Sequence, residues 1–384
     1  MKHIKILIIL SRIVIFIETT FSVLKYNLTV EREKRAILNR YKYLWKEKLI
    51  KYYVNSKLNE DIINYALLKI SKETCLFFKQ TYKPRNALFL YLPGPFYETN
   101  LGKRREIPHK IYVPKGKEEI GKTIRETLRA LGLDYEHNRH DRNHYIIIHS
   151  YFIKRGFLKY FTIDNTTSTF NNGYDYRSVM HFSENEYGIF NTKIITARNK
   201  LMQKLMGKTQ HLTFYDAKLI NKRYCNNFPR RMHLPCQNYG YMHPKIYRIC
   251  KCPSFATGDD CSELIVNNRF CTAVNQFYAE HTSNTIFLRV GGACTYYIYT
   301  DHGGQIRTIF SFYSNRHLHR ICKEDKSVEI RYQSDLAASG ILFCPGNYPL
   351  SIKSESHLVI IQSHFPQREI LLKINYWRVE EREE

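Results

Sequence analysis

Glu126 stands between two arginines, Arg125 and Arg129, that are four residues apart. On a helix such a pair projects side by side from one face, so two guanidinium groups would sit together beside a carboxylate. Apolar residues at Ile120, Ile124, Leu128 and Leu131 recur at helical spacing and Gly132 supplies a stop, which predicts a helix over 117–131. Past the glycine come Glu136, His137, Arg139, Asp141, Arg142 and Tyr145, a polar run dense enough to line a cleft. The arginines are forks suited to carboxylates or sulfates. Guanidinium only donates hydrogen bonds and keeps its proton, so these two side chains cannot ligate a metal. The stretch has the outline of a catalytic site with cations at its centre.

The elements that must position these residues are legible as pattern. Residues 36–225 read as a mixed segment, with helices around 60–72 and 117–131 and strand-like runs at 87–92 and 145–152. Between 226 and 262 four cysteines fall close together among Gly240, Pro244, Pro253 and Gly258. So small a piece must be stapled rather than cored. Its Cys250-Lys-Cys252 could serve a metal knuckle, but a disulfide module is the reading we favour. From 271 onward short alternating runs recur (TIFLRV, TYYIYT, IRTIFSFY, SVEIRYQ, HLVIIQSHF, EILLKINYW) without helical stretches between them. Strands at that spacing predict an antiparallel β-sandwich.

Export is expected from the N-terminus. MKHIK is basic, ILIIL and IVIFI are apolar, and small residues follow at Thr20 and Ser22, which reads as a signal peptide over 1–22. Arg32-Glu-Lys-Arg35 reads as a processing site closing a short propeptide, 23–35. No later segment is apolar for the ~18 residues a membrane span needs. The ten cysteines, an even number, fit a secreted disulfide protein. Asn27 and Asn165 begin glycosylation sequons. The 384-residue chain carries a formal charge of +24, roughly +20 of it beyond residue 35. That excess favours extracellular polyanions as partners, and secretion argues against nucleic acid.

Residues 125–142, R-E-T-L-R-A-L-G-L-D-Y-E-H-N-R-H-D-R, resemble the zinc signature of the astacin family of metallopeptidases, H-E-x-x-H-x-x-G-x-x-H-E-x-x-R-x-D-R. Tyr174-Asp-Tyr-Arg-Ser-Val-Met180-His181-Phe182 is similar to that family's Met-turn, and KTQHLTFYDAKLINKRYC to its closing segment. AILNRYKYLW and KETCLFF also match, so the resemblance covers nearly all of 36–225. CQNYGYMHPKIYRICKCP resembles an EGF-like unit of the kind attached to many nematode astacins. Residues 271–377 resemble a CUB domain more loosely. The fold the resemblance implies is multidomain α+β: an astacin-like metzincin domain at 36–225, an EGF-like domain at 226–262 and an all-β CUB-like jelly-roll sandwich at 263–379.

The resemblance also implies a disulfide set: Cys75–Cys225, Cys236–Cys250, Cys252–Cys261, Cys271–Cys294 and Cys322–Cys344. The family's second astacin-domain pair falls on Pro95 and Lys117. The missing EGF-like pair falls near Pro229 and on Tyr247. Partners are thus lost together and no thiol is orphaned.

For the chemistry, the resemblance places the three zinc-binding histidines at Arg125, Arg129 and Tyr135, and the general base at Glu126. The Met-turn methionine falls at Met180, and the family's Met-turn tyrosine at Phe182. No zinc or other cofactor is therefore expected, Glu126 is left as a vestigial base that pairs with Arg125 or Arg129, and Met180 is a buried hydrophobe. Asp134, His137 and His140 are near in sequence but do not match ligand positions. Glu136 corresponds to the residue that holds the mature N-terminus, here Ala36, and could equally pair with Arg139 or Arg142. The expected function is a secreted, inactive astacin-like protein that binds matrix or secreted proteins, or polyanions such as sulfated glycans. The alternative is a zinc metalloendopeptidase with weak or atypical peptide hydrolysis.

Overall fold

The computed structural model describes residues 35–38, 43–163, 167–225, 235–313, 322–366 and 369–380. The signal, most of the propeptide, Asn27 and Asn165 lie outside these residues.

Strand β1 (Arg35–Leu38) comes first and pairs antiparallel with Thr167–Ser168. A mixed sheet follows, built from β2 (Leu49–Val54), β3 (Phe77–Gln80), β4 (Phe89–Gly94), β5 (Glu98–Thr99) and β6 (His109–Pro114) in the order β3-β2-β4-β6-β5. All its pairs are parallel except β5 with β6. Helix α1 (Glu60–Glu73) starts at Asn59, whose side chain accepts from the Ile62 amide, and buries Ile63, Ala66, Leu67 and Ile70. Its apolar face and the buried side chains of β2, β4 and β6 belong to one core with helix α2 (Ile120–Ala130).

Helix α2 carries the arginine pair. It has no capping side chain at Glu119; the Gly121 amide instead donates to Gln210 Oε1, 2.8 Å away. At its far end Gly132 adopts φ +98°, open to a residue without Cβ, and the Trp45 indole donates to the Ala130 carbonyl at 2.9 Å. The expected strand at 145–152 is shorter than predicted. Only Ile146–Ile148 (β7) pairs, with Ile195–Ala197, and Ser150–Phe152 turn into a 3-10 helix. The ladder ends because its partner is three residues long, and the apolar run beyond it is not buried: Tyr151 is 88% exposed. Helix α3 (Phe214–Tyr224) closes the first segment with a capping box between Thr213 and Asp216.

The cysteine-rich piece holds two small hairpins, Tyr241–Met242 with Cys250–Lys251 and Ala256–Thr257 with Glu263–Leu264. The second runs past the boundary expected at 262. Its apolar residues Phe255 and Ala256 cluster with Tyr297, Leu336 and Ile360 of the C-terminal strands, so its small core is completed by its neighbour.

The C-terminal region is two sheets, of five and four strands, whose inward residues share one core. Gln276–Tyr278, Ala293–Tyr299, Leu358–His364, Val328–Arg331 and Ile341–Phe343 form the first. Asn284–Arg289, Leu371–Glu380, Gly304–Phe312 and Leu350–Lys353 form the second. One feature corrects the antiparallel expectation: the edge strand Gln276–Tyr278 runs parallel to Ala293–Tyr299. Alternation of residue types marks a strand's faces but not its direction. Disulfides join Cys75–Cys225, Cys236–Cys250, Cys252–Cys261, Cys271–Cys294 and Cys322–Cys344. No described helix is long and apolar enough to cross a membrane.

Candidate functional site

Helix α2 delivers Arg125 and Arg129 to adjacent places, but each guanidinium is already engaged. Arg125 is 3% exposed. Its Nε donates to the Val179 carbonyl at 3.0 Å, one terminal nitrogen to the His181 carbonyl at 3.0 Å, and the other to Glu186 Oε1 at 2.9 Å. Its planar head also lies 4.9 Å from the Phe182 ring centroid. Arg129 ion-pairs with Asp134, donates to the Thr99 carbonyl at 3.4 Å and stacks 4.1 Å from the Tyr135 ring centroid.

Glu126 is the point at which the structure departs from the expected pairing. Among the described residues its hydrogen bond comes from the Tyr135 hydroxyl, 3.0 Å from Oε1, and neither arginine makes an ion pair with it. Both arginines have nearer acceptors. Burial pushes the Glu126 carboxyl up to about 7, against the lowering influence of Arg129, Arg125 and the tyrosine hydroxyl. Tyr135 is itself held well above its ordinary range, chiefly by burial and then by the Glu126 carboxylate. It stays a phenol, and a phenol donating to a carboxyl offers a metal no phenolate.

The remaining predicted residues form the floor. Met180 and Phe182 are buried, as are His137 and His181. His137 packs against the rings of Tyr135 and Phe182, 5.3 and 4.3 Å away, and its Nε2 is 3.0 Å from the Tyr160 carbonyl. His181 Nε2 meets the Tyr174 hydroxyl at 2.7 Å. Burial holds both imidazoles below their ordinary value, His181 at about 4, so both are neutral. Asp134 is taken by Arg129. Glu136 accepts from Arg139 at 2.8 Å and from the Asp175 amide at 2.9 Å. Of the two partners left open for it, Arg139 is the one present. Arg139 uses all five N–H groups, on Glu136, on both oxygens of Asp141 and on the Asn172 and Gly173 carbonyls. Ala36 lies in β1, one residue from Arg35.

Sequence reasoning missed the residues that close the cleft. The Tyr187 ring stacks on Phe157 at 4.3 Å, lies 5.4 Å from Phe182, and its hydroxyl donates to the Tyr97 carbonyl at 3.3 Å. Phe96 packs edge-on against Phe157 at 5.0 Å. This aromatic cover leaves Glu126, Tyr135 and Phe182 almost without solvent contact. Among the described residues, open space beside them is a cavity of about 330 Å³ to one side, lined by Thr99, Arg104, Arg129, Asn138 and Tyr160. No spacing rule could reveal Glu186 or Tyr187. Their partners are 61 and 90 residues away.

The donor chemistry does not fit zinc. A tetrahedral site needs imidazole, thiolate or carboxylate ligands, whereas the three positions that the resemblance assigns hold two ion-paired cations and a phenol. Among the described residues no group of three or more His, Cys, Asp or Glu is placed to hold a metal ion.

Comparison with known proteins matches residues 37–225 to the family model described as Astacin, a family of peptidases. The zinc metalloproteinase nas-34 of Caenorhabditis elegans is 28% identical over 325 residues, covering 81% of this chain and 52% of that protein. Its nas-37 from the same organism is 29% identical over 320 residues, covering 81% of this chain and 40% of that protein. The chain thus spans about half the length of these curated relatives or less. Among solved structures, High choriolytic enzyme 1, a hatching enzyme zinc-protease from Oryzias latipes, aligns with 48% of this chain and 94% of its own. Its sequence identity is 21% and its TM-score 0.42.

Proposed function

Residues 37–225 being an astacin domain, we propose that this protein keeps the scaffold of a peptidase, does not hydrolyse peptides, and acts outside the cell by binding. The observation that carries the reading is that Arg125, Arg129 and Tyr135, to which the resemblance assigns the ligand positions, are each committed to a protein acceptor. Hydrolysis by this family needs a metal-bound water of pKa near ~7 for a carboxylate to activate. Glu126 has none to act on and is sealed under Tyr187 and Phe182. The relatives named above are called zinc metalloproteinases; this chain departs from the zinc signature of the family it resembles at Arg125, Arg129 and Tyr135.

Five disulfides, the astacin domain and the leader-like N-terminus support secretion. We read 226–262 as EGF-like and 263–379 as CUB-like, modules whose part is to meet matrix or secreted proteins. An acidic group held by the arginine pair is not part of this proposal, because Arg125 is buried and both arginines are already paired, with Glu186 and Asp134. Cleavage after Arg35 would free Ala36 to approach Glu136, which already serves Arg139.

The deciding experiment is zinc stoichiometry of the secreted protein by elemental mass spectrometry after dialysis against trace zinc. A ratio near zero is expected. A ratio near one, with peptide hydrolysis abolished by Glu126→Gln, would restore the metalloendopeptidase reading.

A further inference from the structure

The turn 174–180 presents the Val179 carbonyl to Arg125 on one side and meets another part of the chain on the other. A loop of the C-terminal sandwich, 334–340, sits directly against it. Asp335 accepts from the Gly173 amide at 2.7 Å through one oxygen and from the Tyr215 hydroxyl of α3 through the other. Ser339 donates to Asp175 at 3.1 Å. Arg177 reaches across to the Gly340 carbonyl at 3.3 Å and ion-pairs with Glu324 and, at 3.2 Å, with Glu329. Ala337 and Ala338 form a buried apolar patch with Tyr215.

Both surfaces are built for this contact. On the sandwich side, Arg331 donates to the Leu336 and Ala338 carbonyls at 2.9 and 2.8 Å, which ties the loop to its own strand. On the other side, a Cβ at Gly173 would lie 2.5 Å from an Asp335 oxygen, so only glycine allows the approach. Buried carboxylates are costly unless paired. Asp175 and Glu329 are buried; each has a partner on its own side, the Arg177 amide and Arg331, and a further one across the junction, Ser339 and Arg177.

We propose that the turn 174–180 is the docking site for the 334–340 loop, and that the partner it fits is this chain's own C-terminal sandwich. The turn then has two clients. Its outer side grips the sandwich through Asp175 and Arg177. Its inner side presents the Val179 and His181 carbonyls to Arg125. The proposal does not depend on whether the protein binds or cuts other proteins.

The test uses the full secreted chain and hydrogen exchange of peptides spanning 173–182. Asp335→Ala should accelerate exchange there at least tenfold and leave the sandwich strand 371–380 unchanged. Tyr215→Phe removes one hydrogen bond while keeping the ring, and should act in the same direction if Asp335→Ala is not secreted. Gly173→Ala should match Asp335→Ala alone and add less than twofold on top of it, because the second change then acts on a contact already lost. Exchange within twofold of wild type in Asp335→Ala or Tyr215→Phe would overturn the proposal, as would fully multiplicative effects of the Gly173 and Asp335 changes.

Discussion

At the scale of single residues, the surroundings of Arg125, Glu126 and Tyr135 are a piece of core with polar members. Arg125 binds a carboxylate and two carbonyls, so removing it strands all three. Arg125→Ala should destabilise the domain by about 3–5 kcal/mol, the range for breaking a buried ion pair, measured by chemical denaturation. A loss under about 1 kcal/mol would show that Glu186 finds water or another donor. Glu126 gives a sharper test. Its folded carboxyl titrates near 7, above an unfolded value near ~4.3. Between those limits the native state binds the extra proton, so this group's contribution to stability is present at low pH and is lost as pH rises through about 7. His137 and His181, depressed by burial, act in the opposite sense and cost stability as pH falls below ~6.5. The difference between Glu126→Gln and wild type isolates the glutamate. The variant should be more stable by about 1–3 kcal/mol at pH 8 and little changed at pH 4. An equal difference at both values would refute the assignment. Arg129 and Asp134 are only five residues apart, so their pairing was within local reach of the sequence, although the expectation gave an arginine to Glu126. The pairing of Arg125 with Glu186 was not, because only the closed fold brings them together.

At the scale of elements, periodicity located what is long and regular. The predicted helix at 60–72 is Glu60–Glu73, and the one at 117–131 is Ile120–Ala130. The run 145–152 misled because its apolar residues mimic a strand while the available partner ends after three pairs. Capping was legible in type but not in reach. Thr213 and Asp216 form a capping box on α3, yet Asp216 also accepts from the Ser178 hydroxyl and, at 3.0 Å, from the Val179 amide. That amide belongs to the turn that cradles Arg125. Two losses should therefore differ. Thr213→Ala should cost about 1 kcal/mol, as for an ordinary cap. Asp216→Ala should cost at least about twice that, since buried donors at Ser178 and Val179 lose their acceptor as well. Equal midpoints in guanidinium unfolding would mean that the carboxylate serves the helix alone.

At the scale of the whole molecule, the charge and the interior can be read together. Twelve charged side chains are buried among the described residues, seven acidic (Glu126, Asp134, Glu136, Asp141, Asp175, Asp216, Glu329) and five basic (Arg125, Arg139, Arg177, Lys218, Arg331). Among the described residues folding therefore hides more acid than base, so burial there does not offset the basic excess of the sequence. A field of that sign draws polyanions, and its reach is set by ionic strength. The protein should bind immobilised heparin at low salt and release steeply as salt rises, since exposed charges are screened beyond ~8–10 Å at physiological strength. A polyanion surface of chemical specificity would hold the protein on heparin to higher salt than on a plain sulfonate resin of matched charge density. Coincident elution would mean that net charge alone is acting. Failure to bind heparin at low salt would contradict the distribution itself, because the buried residues leave too few surface carboxylates to neutralise the lysines and arginines outside.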